Sequence, residues 1–165
     1  YFAISFIIFL SKPFLELIPV SNACPPWGKE YISLNKEIDY IKKYIELQEL
    51  RITSNNELRI NLLQGNLDKY QIAPLLLIPF IENAFKHTNN KKLEDAITVQ
   101  MEITKGAIKM VCSNKFDPFR KTKIESNGLG NELIQKRLHL IYPNRHDLNV
   151  TNENNLYTVA LTILN

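Results

Sequence analysis

Glycine is scarce in this chain, with five in 165 residues, and cysteine is scarcer still, with two. Cys24 and Cys112 lie far apart in dissimilar contexts, so neither a four-ligand zinc site nor a disulfide framework can be written, and a reducing compartment fits best. Charge of one sign is also lacking. Twenty Lys and Arg against 17 Asp and Glu leave a net +3, too little to argue for direct contact with nucleic acid. Tyr40, Tyr44 and Phe85 sit at helical core spacing, where aromatics pack and do not stack on bases. No apolar run is long enough to span a bilayer, which takes roughly 20 residues. The cleanest one, Tyr1 to Leu10, is followed by Lys12, Pro13 and Glu16. It has neither the initiating Met nor the basic start of a signal peptide. Internal repeats are absent too.

Residues 1–28 match the rest poorly, and Pro25, Pro26 and Gly28 mark a loop at their end. Three readings stay open for this arm: the tail of a membrane segment, a stretch out of frame, or an unusual folded extension. It is given little functional weight. What remains is of globular composition, 45% hydrophobic and 22% charged, in the size range of one domain.

From Leu34 to about Ile52, Leu34, Ile38, Ile41, Ile45 and Leu47 recur near the helical period, with Lys36, Glu37, Lys42, Lys43 and Glu46 assigned to the other side. Leu58, Ile60 and Leu62 alternate with Arg59 and Asn61 as a half-buried strand does, and Gln64-Gly65-Asn66 follows as a turn. A helix is expected over Pro74–Thr88. Pro79, one turn inside it, should bend the axis, at about 3 kcal/mol if not accommodated. Ile97, Val99, Met101 and Ile103, then Ile108, Met110 and Cys112, predict two strands around a Lys105-Gly106 turn. Residues 115–127 have no period and read as a cationic loop. A helix over Gly128–Ile141 stops at Pro143, and a hairpin turning at Asn154-Asn155 closes the chain. Helices free to cover one face of a hairpin-rich sheet predict an α+β two-layer sandwich.

The stretch IPFIENAFKHT, residues 78–88, places a carboxylate, a carboxamide, an ammonium and an imidazole within six positions of a greasy segment. On a helix Asn83, Lys86 and His87 share one face. Leu77, Ile81 and Phe85 line another, beside Leu76, Phe80 and Ala84, with Glu82 at the boundary. A carboxamide oxygen suits Mg²⁺, which takes phosphate oxygens as further ligands, and an ammonium one turn on suits those phosphates. Alone, such residues are better read as the wet side of an amphipathic helix. A second cluster changes the weighing. NGLGN, at 127–131, sets two of the five glycines at the mouth of a helix, where backbone amides and the helix dipole favour an anion.

These residues resemble the ATP-binding domain of sensor histidine kinases, the GHKL or Bergerat-fold ATPases, and in particular their LytS-type branch. The resemblance runs from about Glu30 to Asn165. LNKEIDYIKKYIELQELR is similar to that branch's linker helix, IAPLLLIPFIENAFKH to its N box, and GLGNELIQKRLHLIYP to its last glycine box. It implies a mixed or antiparallel sheet covered on one face by helices, with an arm at 1–28, a linker helix at 29–53 and an ATP-binding domain at 54–165. It further implies ATP and Mg²⁺ as cofactors. Asn83 would coordinate the Mg²⁺, with Glu82 beside it in a catalytic role. Lys86 would neutralise phosphate charge and His87 would flank the nucleotide. Gly128, Leu129 and Gly130 would form the glycine hinge, with residues 115–127 as the lid.

The resemblance has two gaps. Where the family carries D-x-G to read adenine, this chain has Val111-Cys112-Ser113-Asn114-Lys115, leaving Ser113 or Asn114 for the base. The family's phosphoacceptor His, in a stretch similar to N-P-H-F-L-F-N, has no counterpart in residues 1–33, and His139 reads as a helix-surface residue. The parent protein implied is a homodimeric kinase anchored in the bacterial inner membrane, with this domain in the cytoplasm. It would phosphorylate a His upstream and pass the group to a response regulator of the LytTR kind. A degenerate docking module, or an anti-sigma-factor Ser kinase of the same superfamily, are the alternatives.

Overall fold

Four of the five strands of the sheet come from two hairpins, and the turns explain why. The computed structural model describes residues 31–50, 58–88, 94–117 and 129–165. β4 (Ile97–Thr104) and β5 (Ala107–Lys115) pair antiparallel around Lys105 and Gly106, which take φ of 51° and 83°. β6 (His146–Glu153) and β7 (Leu156–Leu164) pair around Asn154 and Asn155, at φ of 51° and 62°. Two consecutive left-handed residues give a turn whose twist matches the strands it joins, and Asn and Gly tolerate that region best. β7 then pairs with β5, and β2 (Leu58–Asn61) lies parallel to β4 at the edge. The order β2-β4-β5-β7-β6 is a mixed five-stranded sheet.

One face of that sheet is apolar. Ile97, Val99, Met101, Ile108, Met110, Cys112, Val159, Leu161 and Ile163 are buried, alternating with partly exposed residues such as Gln100, Glu102, Lys109 and Val111. A period of two separates the faces, so a single register specifies the core. Helix α2 (Ile78–His87) packs across β4 and β5, and α3 (Leu129–Ile141) against β6. The two-layer α+β sandwich expected from the sequence is therefore observed.

Helix α1 (Leu34–Glu49) begins at Ser33, whose Oγ accepts from the Asn35 amide at 3.2 Å. The same hydroxyl donates to Asp68, as does the Asn35 carboxamide, at 2.6 and 2.8 Å. These bonds hold the Asp68 carboxyl below its ordinary range. The loop is tied down further by β1 (Ile32–Ser33), which pairs antiparallel with β3 (Gln71–Ile72), two short strands that carry no periodic signal. Leu34, Ile38, Ile41 and Ile45 are buried, and Tyr44 meets Phe85 edge to face at 5.8 Å. Glu37, which the sequence reading placed on the wet side, is 1% exposed. It stands three residues after Leu34 and four before Ile41, inside the apolar stripe.

Two further expectations need correction. α2 begins at Ile78 and not at Pro74, so Pro79 falls in the first turn. There its missing N–H would have had no helical partner, and it imposes neither bend nor penalty. β5 continues through Lys115, whose amide donates to the Ala96 carbonyl at 2.8 Å, so the loop starts only after it. Residues 118–128, most of the expected lid together with Gly128, lie outside the described residues, as do the arm and residues 51–57.

Candidate functional site

Residues 73–77 deliver the chain into α2, and they are held from three sides. The Ala73 amide donates to the Tyr142 hydroxyl at 2.8 Å. Arg137 on α3 donates to the Leu75 carbonyl at 3.0 Å and also to the Pro74 carbonyl. Glu37 on α1 accepts from the amides of Leu75 and Leu77, at 2.8 and 3.0 Å. Leu75 sits at φ 53°, a left-handed conformation unusual for a bulky residue, which needs such support. Burial pushes the Glu37 carboxyl up, opposed by the amide bonds and by the charge of Arg137. Placed at the start of α2, a carboxylate also meets the positive end of the helix. Sequence reasoning missed all three anchors. The signal for Glu37 was its position in the apolar stripe; Arg137 and Tyr142 gave none.

So fixed, α2 turns Ile78, Phe80, Ile81, Ala84 and Phe85 into the core. Glu82, Asn83 and His87 are half-buried and Lys86 is exposed, the partition of faces expected. Thr88 closes the helix with its hydroxyl donating to the Ala84 carbonyl at 2.7 Å. Partial burial pushes the Glu82 carboxyl up to about 7. Among the described residues no salt bridge engages it. Tyr40 of α1 is pushed up to about 12 by burial and by the charges of Glu82 and Glu37, so its hydroxyl keeps its proton. Burial, with the neighbouring charge of Lys86, holds the His87 imidazole below its ordinary value and therefore neutral at pH 7.

Glu82 carries a pH signature. Its carboxyl titrates at about 7 in the folded protein and near the ordinary 4.5 when unfolded. Between those values the folded state holds the extra proton, so this group's contribution to stability falls as pH rises through that window. Glu82→Gln is expected to match the parent below pH 4.5 and to exceed it by about 1–2 kcal/mol at about pH 8, a figure reduced for solvent screening. Urea unfolding at both pH values measures it. Parallel profiles for the two proteins would show that the carboxyl is solvated.

On the inner face of β5, Cys112 directs its thiol toward the Phe80 carbonyl of α2 at 3.7 Å, tying this strand to that helix. Two residues on, Asn114 has the same orientation, between Ile97 of β4 and Tyr157 of β7. It is 1% exposed, and neither its carboxamide oxygen nor its nitrogen has a hydrogen-bond partner among the described residues. Leaving such groups unpaired costs about 1–3 kcal/mol each. The chain tolerates that cost at the end of the strand from which the loop toward α3 departs. Ser113, the other residue considered for the base, points to the opposite face and is partly exposed. Leu129 and Gly130 form the first turn of α3, whose amides have no helical acceptor. His139 is exposed as expected, and its ring meets His146 edge to face at 6.4 Å. Among the described residues no cluster of His, Cys, Asp and Glu is built to hold a metal by itself, and no helix is long and apolar enough to cross a membrane.

Elsewhere among known proteins, sensor histidine kinase BtsS of Escherichia coli is 25% identical over 129 residues, 78% of this chain and 23% of that protein. The chain thus spans about a quarter of the length of that relative. The catalytic domain of histidine kinase ThkA, solved free of nucleotide, superposes with a TM-score of 0.53 at 16% identity, over 81% of this chain and 93% of that one. A second ThkA structure, in complex with response regulator TrrA, gives 0.52 at 16% identity, over 98% of this chain and 48% of that one. No family model matches. The fold is that of histidine kinase catalytic domains.

Proposed function

We propose that this chain is the ATP-binding part of a LytS-type sensor histidine kinase, holding Mg-ATP so that its γ-phosphoryl group passes to a His on a helix outside the chain. The observation that carries this reading is the outward side of α2. A half-buried carboxyl and carboxamide, Glu82 and Asn83, stand one turn from Lys86 and His87, on a helix whose start is locked by the side chains of Glu37, Arg137 and Tyr142. The donor chemistry fits the cofactor. The Asn83 oxygen is a hard ligand that suits Mg²⁺, and Lys86 supplies positive charge for phosphate oxygens. Glu82, when ionised, orients water or the metal's outer shell. A neutral His87 can flank the nucleotide without adding charge, and the first-turn amides at Leu129 and Gly130, which have no helical acceptor, offer donors to phosphate. The unpaired Asn114 amide offers a partner for a base. Bound ATP supplies the transferable group, and the protein's part is positioning and charge stabilisation.

ThkA is solved with a response regulator, and its fold is shared here, so a regulator is the partner class that best fits, with the LytTR kind following from the branch resemblance. The replacement of D-x-G by Ser113-Asn114-Lys115 supports a second reading, a docking module that no longer turns over ATP. Titration of the chain with ATP, with and without Mg²⁺, separates the two. Asn83→Ala is expected to lower Mg-ATP affinity at least tenfold, about 1.4 kcal/mol, and to leave affinity insensitive to Mg²⁺. An affinity unchanged by that substitution would leave the docking module as the better reading.

A further inference from the structure

We propose that Asn114 lets this site accept purine nucleotides with either a 6-amino or a 6-oxo group, so that inosine triphosphate binds nearly as well as ATP. The inference rests on the nucleotide-site reading above and extends it to the class of base. A carboxylate at this position can only accept hydrogen bonds. It requires a donor on the base edge, such as the 6-amino group of adenine, and repels the 6-oxo oxygen of hypoxanthine or guanine. A carboxamide carries an acceptor at one end and a donor at the other, and turning it by half a rotation exchanges them.

In most buried Asn side chains a protein hydrogen bond on one end fixes the orientation. Here both the oxygen and the nitrogen of Asn114 lack a partner among the described residues, at 1% exposure. The neighbours in register, Ile97 and Tyr157, hold it from β4 and β7 without a bond to either end. Among the described residues no hydrogen bond favours one rotation. The 6-amino group would meet the amide oxygen, and the 6-oxo group would meet the amide nitrogen after a flip, with one hydrogen bond gained in each case. Sites that discriminate strongly do so by leaving a buried polar group unpaired with the wrong ligand, and a freely turning amide avoids that penalty. The 2-amino group of guanine adds bulk at a second ring position, so inosine triphosphate is the cleaner probe.

The test is isothermal titration of the whole 165-residue chain, in Mg²⁺, with ATP and with inosine triphosphate. The dissociation constants are expected to lie within about tenfold of each other. Asn114→Asp, which makes the group acceptor-only, should keep ATP within a few-fold and widen the ratio to about a hundredfold. A buried carboxylate can impair folding, so Asn114→Ser serves as a second variant, expected to weaken both ligands by about the same factor of ten. Tight ATP with inosine triphosphate weaker by more than a hundredfold in the parent would overturn this proposal alone. So would an Asn114→Ser variant with both affinities unchanged, since the side chain would then not meet the base. Binding of neither nucleotide would overturn the site reading and this extension together.

Discussion

Glu37→Ala is expected to destabilise the domain by about 3 kcal/mol, lowering its melting temperature by about 10 °C. The substitution deletes both acceptors of the Leu75 and Leu77 amides, bonded at 2.8 and 3.0 Å, in a place that water does not reach. It also leaves a left-handed Leu75 without its amide partner and Arg137 without a facing charge. Glu37→Gln separates the contributions. A carboxamide accepts through one oxygen only, and its nitrogen would face a second N–H, so the variant should recover less than half of the loss. Amide hydrogen exchange supplies a local readout: Leu75 and Leu77 should be protected in the parent and exchange far faster in Glu37→Ala. If global stability drops while those two amides stay protected, Glu37 acts through packing and not through the amides.

This buried carboxylate also marks where the sequence ceased to be legible. Periodicity located α1, the β4–β5 hairpin and the β6–β7 hairpin, because apolar spacing and turn chemistry agree there. Lys105-Gly106 and Asn154-Asn155 both take the left-handed conformations that two-residue turns require. The outward side of α2 was readable for the same reason, its apolar residues being one helical stripe. The start of α2 was not. Pro74 and Pro79 are equally good residues for a first turn, and only the long-range bonds from Glu37, Arg137 and Tyr142 make residues 73–77 a non-helical lead into Ile78. The parallel pairing of β2 with β4, and the two-residue strands β1 and β3, likewise depend on contacts that no local pattern encodes. Charge misled at Glu37, since a Glu was assigned to water by type. Its place on the wheel said otherwise.

Arg137→Met should be about as costly, at about 2–4 kcal/mol, because it removes charge-assisted hydrogen bonds to two carbonyls and a cation that favours the ionised Glu37. The guanidinium bonds two consecutive carbonyls, those of Pro74 and Leu75, in a forked geometry that Met cannot copy. Those carbonyls would lose their partner, while Glu37 would keep a desolvated carboxyl with no opposing charge. The volume of the side chain is roughly conserved, so the loss reports on polar partners and not on a cavity. A double-mutant cycle decides whether the two residues act on one turn. With Glu37→Ala already present, residues 73–77 are loosened, and removing Arg137 should then cost about 1–2 kcal/mol less than it does in the parent. Urea titrations of the four proteins give the coupling. Additive losses would mean that Arg137 supports α3 independently of the turn that Glu37 holds.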